Sequence, residues 1–311
     1  MPSHPTVARL LDAMRASPSP PLWSVSIDEA RARSRQLAQL IGPGPDVASI
    51  RDLELYGAGH PITARLISPA EPKAVMLFLH GGGWVIGSFR DLDAACRHLA
   101  LAGSYAILVP DYRLAPEHPY PAALEDSHAC LQWLSEHCKE LFGTRLPLIV
   151  GGASSGGNLA AALTQQRRGD ADITIDAQLL VYPVLDADFE TPSYREFSDD
   201  PFLDRKTMRW FWDQYVPDTK LRANPAVAPL RQSDLSGLPP TVIIAAERDP
   251  TRSETEAYAA ALRCAGITVA SRTFEKVPHG FFTMVNQFDE AKLAISFAVD
   301  NFNRFITAVR T

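Results

Sequence analysis

Residues 151–160 read Gly-Gly-Ala-Ser-Ser-Gly-Gly-Asn-Leu-Ala, and this stretch decides how the fold is interpreted. It follows the apolar, strand-like run Leu146–Val150 and leads into a helical pattern. A sharp turn from strand to helix needs glycines beside its central residue, because side chains there would clash. Gly152-x-Ser154-x-Gly156 meets this need and predicts a serine whose hydroxyl projects above the edge of a sheet.

Two other interpretations of this stretch are open from the residues alone. A glycine-rich turn before a helix also binds phosphate, or binds nothing. The motif can also be centred on Ser155, but that frame would put Ala153 in the place of the first glycine. We therefore predict Ser154 as the functional serine.

The rest of the chain alternates between strand-like and helical patterns. Buried runs separated by helices predict a mostly parallel sheet with helices on both faces. Six such runs are Ala74–Leu79, Ala106–Pro110, Leu146–Val150, Ala177–Val184, Thr241–Ala246 and Val269–Phe274. Two earlier runs, Ile50–Leu55 and Ile62–Ile67, predict an antiparallel hairpin at one edge. The sequence therefore predicts an α/β fold with eight strands.

Helix starts are marked by capping patterns, in which a serine precedes a glutamate by three residues. Ser26 with Glu29 predicts a helix that ends near Ile41, and Ser253 with Glu256 predicts another.

Composition and charge exclude several classes of protein. The chain has 311 residues and a formal net charge of −6 at pH 7, which argues against a nucleic-acid partner. Its longest apolar stretches are about nine residues, whereas a membrane-spanning helix needs about 20. The first 20 residues hold no continuous apolar run of the kind found in signal peptides. The four cysteines form no Cys-x-x-Cys pair, which predicts reduced thiols in a cytoplasmic protein.

Two segments depart from the alternation of strands and helices. Residues 1–45 are helical before the first strand, and residues 186–236 interrupt the sheet between two strands. Either they form a cap over the carboxyl edge of the sheet, where ligands bind in open α/β folds, or they pack as ordinary layers. The predicted division is a first cap part at 1–45, core parts at 46–185 and 237–311, and a cap insertion at 186–236.

A run of three glycines follows the first long buried strand. Gly81, Gly82 and Gly83 stand between His80 and Trp84 and offer unobstructed backbone N–H groups. A tetrahedral oxyanion needs donors of this kind, already in place. The backbone N–H of Ser155, directly after the predicted nucleophile, supplies a further donor. We expect His80 to hold this loop rather than to act as a base, because it sits at a strand end before the nucleophile.

A serine nucleophile requires a base and a carboxylate that orients the base. In this type of fold the order along the chain is serine, acid, histidine. His279 is the only histidine after Ser154, and it follows the strand Val269–Phe274. Asp249 follows the preceding strand, which makes it the predicted acid.

At this point four motifs together resemble the hormone-sensitive-lipase-like group of α/β-hydrolase carboxylesterases. The first, at residues 80–84, is similar to that family's oxyanion motif, and the second, at 111–123, to its DYRLAPE block. The third, at 152–160, is similar to its nucleophile turn, and Asp249-Pro250 with His279-Gly280-Phe281 to its acid and histidine segments. One departure is Ala153, because the family has a polar residue before the nucleophile in many members. This departure leaves the subfamily open.

The resemblance implies an α/β-hydrolase fold with a mostly parallel eight-stranded sheet and a helical cap. It implies a serine carboxylesterase that hydrolyses small esters with short- to medium-chain acyl groups, with Ser154, Asp249 and His279 as catalytic residues and no metal or organic cofactor. It places Gly81, Gly82 and Ser155 in the oxyanion hole. The expected pocket residues are Trp84, Phe211, Trp212 and Phe281.

Several alternatives stay open at this stage. An amidase or lactonase would use the same three catalytic residues, and a non-catalytic receptor for small molecules can share the fold. Monomer and homodimer are both compatible with the sequence.

Overall fold

The computed structural model describes residues 4–57 and 59–309. In these residues eight strands form one sheet in the order β1-β2-β4-β3-β5-β6-β7-β8. The strands are β1 Ser49–Gly57, β2 His60–Ser68, β3 Ala74–Leu79, β4 Tyr105–Pro110, β5 Leu148–Ala153, β6 Ala177–Val181, β7 Thr241–Arg248 and β8 Val269–Pro278. The pairs β1–β2 and β2–β4 are antiparallel and the remaining pairs are parallel. The predicted α/β-hydrolase fold class is confirmed.

Helices occupy the connections between the strands. They are α1 Pro5–Ala16, α2 Ile27–Ile41, α3 Phe89–Gly103, α4 Ala122–Phe142, α5 Ser155–Gln166, α6 Pro192–Glu196, α7 Arg205–Tyr215, α8 Arg252–Cys264 and α9 Asp289–Val309. Short 3-10 turns lie at Leu22–Ser24, Thr219–Ala223 and Pro229–Arg231. None of the helices in the described ranges combines the length and the hydropathy that a bilayer crossing needs.

The central strands are apolar throughout because both faces of the sheet are covered. Every residue of β3 is buried, and successive side chains alternate between two hydrophobic clusters. Leu77 packs in the cluster that contains Leu131 of α4 and Leu159 of α5. Met76 and Phe78 pack in the other cluster, with residues of α3 and α9. Such doubly covered strands need no polar face, which explains their continuous apolar runs.

Two groups of elements stand apart from this layering. The first group, α1 and α2, precedes β1, and the second group, α6 and α7, lies between β6 and β7. The turn Leu22–Ser24 of the first group contacts α7 of the second. Whether these groups act as the predicted cap stays a prediction.

The capping patterns gave one right and one wrong helix start. Helix α2 begins after Ser26, whose Oγ accepts the N–H of Glu29 at 3.2 Å. Helix α8 instead begins after Thr251, so Ser253 lies inside its first turn. The Oγ of Ser253 accepts the N–H of Ser193 at 3.1 Å, so it serves a tertiary contact instead of a cap.

Candidate active site

The sharp turn between β5 and α5 holds Ser154 in a strained backbone conformation. Its φ is 57° and its ψ is −119°, a region that residues with a side chain rarely adopt. The flanking glycines are required by close backbone contacts. A Cβ on Gly152 would lie 2.1 Å from the carbonyl oxygen of Gly156, and one on Gly156 would lie 2.0 Å from that of Leu79. The turn therefore accepts only glycine at both positions.

Backbone hydrogen bonds hold this strained turn in place. The N–H of Ser154 donates to the carbonyl oxygen of Val181 at 2.9 Å. The carbonyl oxygen of Ser154 accepts from the N–H groups of Asn158 and Val184, each at 3.1 Å. The neighbouring strand β6 and the first turn of α5 thus offset the cost of the conformation.

Ser154, His279 and Asp249 form one hydrogen-bonded chain, although 125 and 30 residues separate the two pairs. The Oγ of Ser154 lies 2.8 Å from Nε2 of His279, and Nδ1 of His279 lies 2.7 Å from Oδ2 of Asp249. The carboxylate accepts, so Nδ1–H donates to it and Nε2 is left to accept the serine hydroxyl. The sequence prediction named these three residues, and the structure brings them together.

The carboxylate of Asp249 is fully buried, and Thr251 hydrogen bonds to its second oxygen. The N–H and the Oγ of Thr251 both donate to Oδ1, each at 2.8 Å. Three hydrogen bonds, including the one from His279, satisfy a buried carboxylate that would otherwise be costly. The backbone N–H of His279 also donates to the carbonyl oxygen of Arg248, which joins the ends of β7 and β8.

The glycine loop lies directly beside the serine. A Cβ on Gly81 would be 3.3 Å from Cβ of Ser154, so a larger residue would crowd the nucleophile. Gly82, with φ of 112°, accepts from the N–H groups of Val85 and Ile86 at 3.1 and 3.0 Å. Within the described chain, the N–H groups of Gly81, Gly82 and Ser155 donate to no protein acceptor. These donors remain free for a ligand beside Ser154.

His80 hydrogen bonds to the backbone of this glycine loop. Its Nδ1 donates to the carbonyl oxygen of Gly81 at 2.7 Å, and its ring stacks on Tyr112 at 4.1 Å. The hydroxyl of Tyr112 donates to the carbonyl oxygen of His80 at 2.7 Å. Burial lowers the pKa of His80 and keeps its imidazole neutral. His80 therefore contacts the loop backbone and not Ser154.

The other residues of the 111–123 block tie the loops together. Arg113 donates through Nη2 to Oδ1 of the buried Asp126 at 2.8 Å. Arg31 of α2 donates to Glu117 at 2.6 Å and to the carbonyl oxygen of Val85 at 3.0 Å. This block has no group in the hydrogen-bonded chain of Ser154.

A pocket of about 210 Å³ opens over Ser154 and His279. Of the four predicted pocket residues, Phe211 lines it, and the other three predictions are corrected. Trp84 stacks on Tyr215 at 4.3 Å and meets Trp212 edge-on at 5.0 Å, so both tryptophans belong to one aromatic cluster, and neither lines the pocket. Phe281 is fully buried against Phe274 and Tyr182.

The sequence did not identify most of the pocket wall. Lining residues that were missed include Ser34, Leu37, Ala38, Ile41, Ile86, Asp91, Phe202 and Leu203. The apolar spacing of Leu37 and Ile41 on α2 was a usable signal, because residues four apart share a helix face. No sequence signal points to Asp91.

A comparison with protein families matches residues 76–283 to a family described as alpha/beta hydrolase fold. One relative is the carboxylic ester hydrolase LipN of Mycobacterium tuberculosis, 39% identical over 265 residues, or 82% of this chain and 70% of that protein. Another is an ethyl acetate hydrolase of Pseudomonas putida, 31% identical over 309 residues, or 96% of this chain and 97% of that protein.

Solved structures of esterases also resemble this chain. A thermostable esterase from Pseudomonas putida ECU1011 superposes with a TM-score of 0.88 at 34% sequence identity. The superposition covers 96% of this chain and 95% of the other. The likeness therefore extends beyond the sheet to the elements around the pocket.

Proposed function

The chain belongs to the α/β-hydrolase family, among the carboxylesterases that resemble hormone-sensitive lipase, and we propose that it hydrolyses esters through Ser154, His279 and Asp249. The observation that carries this proposal is the hydrogen-bonded chain from Ser154 Oγ through His279 to Asp249, with distances of 2.8 and 2.7 Å. A nucleophile, a base in reach of its proton and a carboxylate that orients the base are the parts that acyl transfer needs.

In the first half of the reaction, Ser154 Oγ attacks the ester carbonyl carbon while His279 Nε2 takes the hydroxyl proton. The π electrons of the carbonyl move onto its oxygen, which becomes an oxyanion. As the tetrahedral intermediate collapses, the bond to the alcohol oxygen breaks and His279 returns the proton to that oxygen. The alcohol leaves, and the acyl group remains on Ser154.

In the second half, a water molecule takes the place of the alcohol. His279 accepts a proton from the water as its oxygen attacks the acyl carbon. The second tetrahedral intermediate breaks its bond to Ser154 Oγ, which recovers the proton from His279. The carboxylic acid is released and the enzyme is restored.

We assign stabilisation of both oxyanions to the backbone N–H groups of Gly81, Gly82 and Ser155. Gly81 lies beside Ser154, Gly82 lines the same pocket and Ser155 is the next residue in the chain, and the three N–H groups donate to no acceptor within the described chain. Donors fixed in advance stabilise the transition state without any reorganisation during the reaction. Ser155 also begins α5, whose amino end favours developing negative charge.

For the substrate we propose esters with short- to medium-chain acyl groups. A pocket of about 210 Å³, whose lining includes Leu203, Met208 and Phe211, supports this size class. Residues from α2 and from the segment before β7 both contribute to its wall, which supports a cap made by residues 1–45 and 186–236.

For the cellular location we propose the cytoplasm. All four cysteines are free thiols, as expected in a reducing compartment.

The test is hydrolysis of p-nitrophenyl esters from acetate to palmitate. We expect the rate to peak at short or medium chains and Ser154→Ala to reduce kcat by at least about 10³-fold. Ser135→Ala is the matched control, because Ser135 lines a separate cleft together with Val75 and Leu148, which lie within the first two residues of β3 and β5, at the opposite end of the sheet. Undiminished hydrolysis by Ser154→Ala would remove Ser154 from the mechanism.

A further inference from the structure

One carboxylate lies in the wall of the active-site pocket without a place in the reaction above. Asp91, in the first turn of α3, lines the pocket together with Ser34 of α2 and the apolar residues Ile86 and Leu92. Among the described residues of the wall, Asp91 is the only carboxylate, and His279 is the only residue that can carry a positive charge. A single charged oxygen pair in an apolar wall selects among ligands strongly.

Asp91 is held close to the loop that carries the proposed oxyanion donors. A Cβ on Gly87 would lie 2.4 Å from the carbonyl oxygen of Gly81 and 3.3 Å from Oδ2 of Asp91. Gly87 therefore lies between the carboxylate of Asp91 and the backbone of Gly81, and Gly81 is in turn next to Ser154. Asp91 and Ser154 both line the pocket, so an ester bound at Ser154 can extend to Asp91.

The two oxygens of Asp91 have different surroundings. Oδ2 accepts from Ser34 Oγ and from the N–H of Ser88, each at 3.1 Å, so the side chain is fixed on both sides. No group in the described part of the chain hydrogen bonds to Oδ1. The carboxylate is thus positioned in advance, with one acceptor still available.

We propose that Asp91 is a specificity-determining residue, whose Oδ1 binds an ammonium group on the substrate and favours such esters over neutral esters of the same shape. The inference rests on the proposed hydrolysis at Ser154. Positioned carboxylates bind ammonium groups through charge-assisted hydrogen bonds, which are about twice as strong as neutral ones.

The surroundings of Asp91 favour a cation over an anion as its partner. Burial raises the pKa of the Asp91 carboxyl, and the nearby carboxylate of Asp111 adds to this rise, while His80 and the hydrogen bonds from Ser34 and Ser88 offset only part of it. The positive charge of a bound ammonium group would offset the effects of burial and of Asp111, because it stabilises the ionised form of Asp91. Arg35 and Arg90 line two neighbouring surface clefts that also reach Asp91, but neither lines the pocket itself.

The experiment compares pairs of esters that differ only in charge. For the alcohol half the pair is 2-(dimethylamino)ethyl acetate and 3-methylbutyl acetate. For the acyl half it is ethyl 3-(dimethylamino)propanoate and ethyl 4-methylpentanoate. Acid release at pH 7 gives kcat/KM for each, and the ratio within a pair measures the preference for the ammonium group.

We expect the wild type to prefer the ammonium ester in at least one pair. Asp91→Asn should reduce that ratio by about tenfold or more, mainly through KM, because one hydrogen bond to a charged group is lost. Rates on the neutral esters should change by less than about twofold, since the amide oxygen still caps α3. Asp91→Thr, which also keeps a capping oxygen without charge, should behave like Asp91→Asn.

The matched control is Asp93→Asn. Asp93 lies on the same helix and pairs with Arg65 at 2.9 Å and Arg97 at 2.7 Å, outside the active-site pocket. It removes the same charge and should leave the ratios unchanged. Neutral esters hydrolysed normally, with equal ratios in the wild type and Asp91→Asn for both pairs, would overturn the inference. Loss of all ester hydrolysis in the wild type would instead overturn the proposed function.

Discussion

Replacement of Asp249 by asparagine tests how the triad is oriented, because the structure dictates how the new amide must sit. Thr251 directs two donors, its N–H and its Oγ, at Oδ1, both at 2.8 Å. Only the amide oxygen can accept them, so it must occupy the Oδ1 place. The amide nitrogen then faces Nδ1 of His279, where Oδ2 lies at 2.7 Å in the native protein.

A nitrogen with two hydrogens can only donate to His279, so Nδ1 must accept and the proton must move to Nε2. Nε2 would then donate to Ser154 Oγ instead of accepting its proton. The histidine is present and well placed, yet it is in the wrong tautomer to act as a base. Loss of the correct tautomer costs about 10⁴-fold in kcat, which corresponds to about 5 kcal/mol of transition-state stabilisation.

The assay is kcat on p-nitrophenyl acetate, with the melting temperature measured alongside it. We expect Asp249→Asn to lose about 10⁴-fold in kcat with KM little changed. Thr251→Val keeps the backbone donor and loses only the hydroxyl donor, so its loss should be about tenfold. An Asp249→Asn protein that keeps more than about a tenth of the wild-type kcat would refute this account of the orientation.

Three further predictions concern the loop, a buried acid and the pocket. Gly83→Ala should lower the melting temperature and kcat, because φ is 60° there and the new Cβ would lie 2.1 Å from the Phe211 ring; a double substitution with Phe211→Ala should recover part of the loss, and purely additive effects would contradict this contact. Burial raises the pKa of Asp111 to about 6, so the folded state holds a proton that the unfolded state has released. The stability of the wild type relative to Asp111→Asn should therefore fall by about 2–3 kcal/mol as pH rises from about 4 to 7, and a constant difference in urea unfolding would contradict this. Phe211→Ala should shift the preferred p-nitrophenyl ester to longer acyl chains, whereas an unchanged chain-length profile would show that Phe211 does not limit the pocket.

The residues of the turn and of the hydrogen-bonded chain were predictable because local geometry limits what can stand there. A Cβ on Gly152 or Gly156 would collide with backbone atoms that cannot move away, so both positions require glycine and the motif can be recognised in the sequence. The order serine, acid, histidine follows from the order of the strands in the sheet. Asp249 and His279 directly follow the last residues of the neighbouring parallel strands β7 and β8, which brings them to one edge of the sheet.

The pocket was not predictable, because its wall depends on which way large side chains turn after packing. Trp84 follows the glycine loop with φ of 61°, and its ring turns into the aromatic cluster of Trp212 and Tyr215. Phe211, next to Trp212 on α7, turns to the pocket instead. Neighbouring residues on a helix face different directions, and only the tertiary arrangement decides which face meets the ligand.

The strand ends shifted for a similar reason. The predicted run Ala177–Val184 ends as a strand at Val181, where Tyr182 takes a φ of 35°. The residues beyond it stay apolar, because Val184 and Leu185 are buried and Val184 lines the pocket. A hydrophobic run in the sequence indicates which residues are buried and not which ones form strand hydrogen bonds. Burial here continues beyond the last hydrogen-bonded residue, so the predicted strand is too long.

The central claim is that Ser154 is the nucleophile, and the most direct test is to label the reactive serine covalently. Diethyl p-nitrophenyl phosphate should transfer its phosphoryl group to the active serine and release p-nitrophenol, since the adduct mimics the tetrahedral species that the oxyanion donors bind. Peptide mapping by mass spectrometry should find one adduct per chain, on Ser154, with loss of esterase activity in proportion to labelling. An adduct on Ser155, or full labelling with activity retained, would contradict the assignment of Ser154 as the nucleophile.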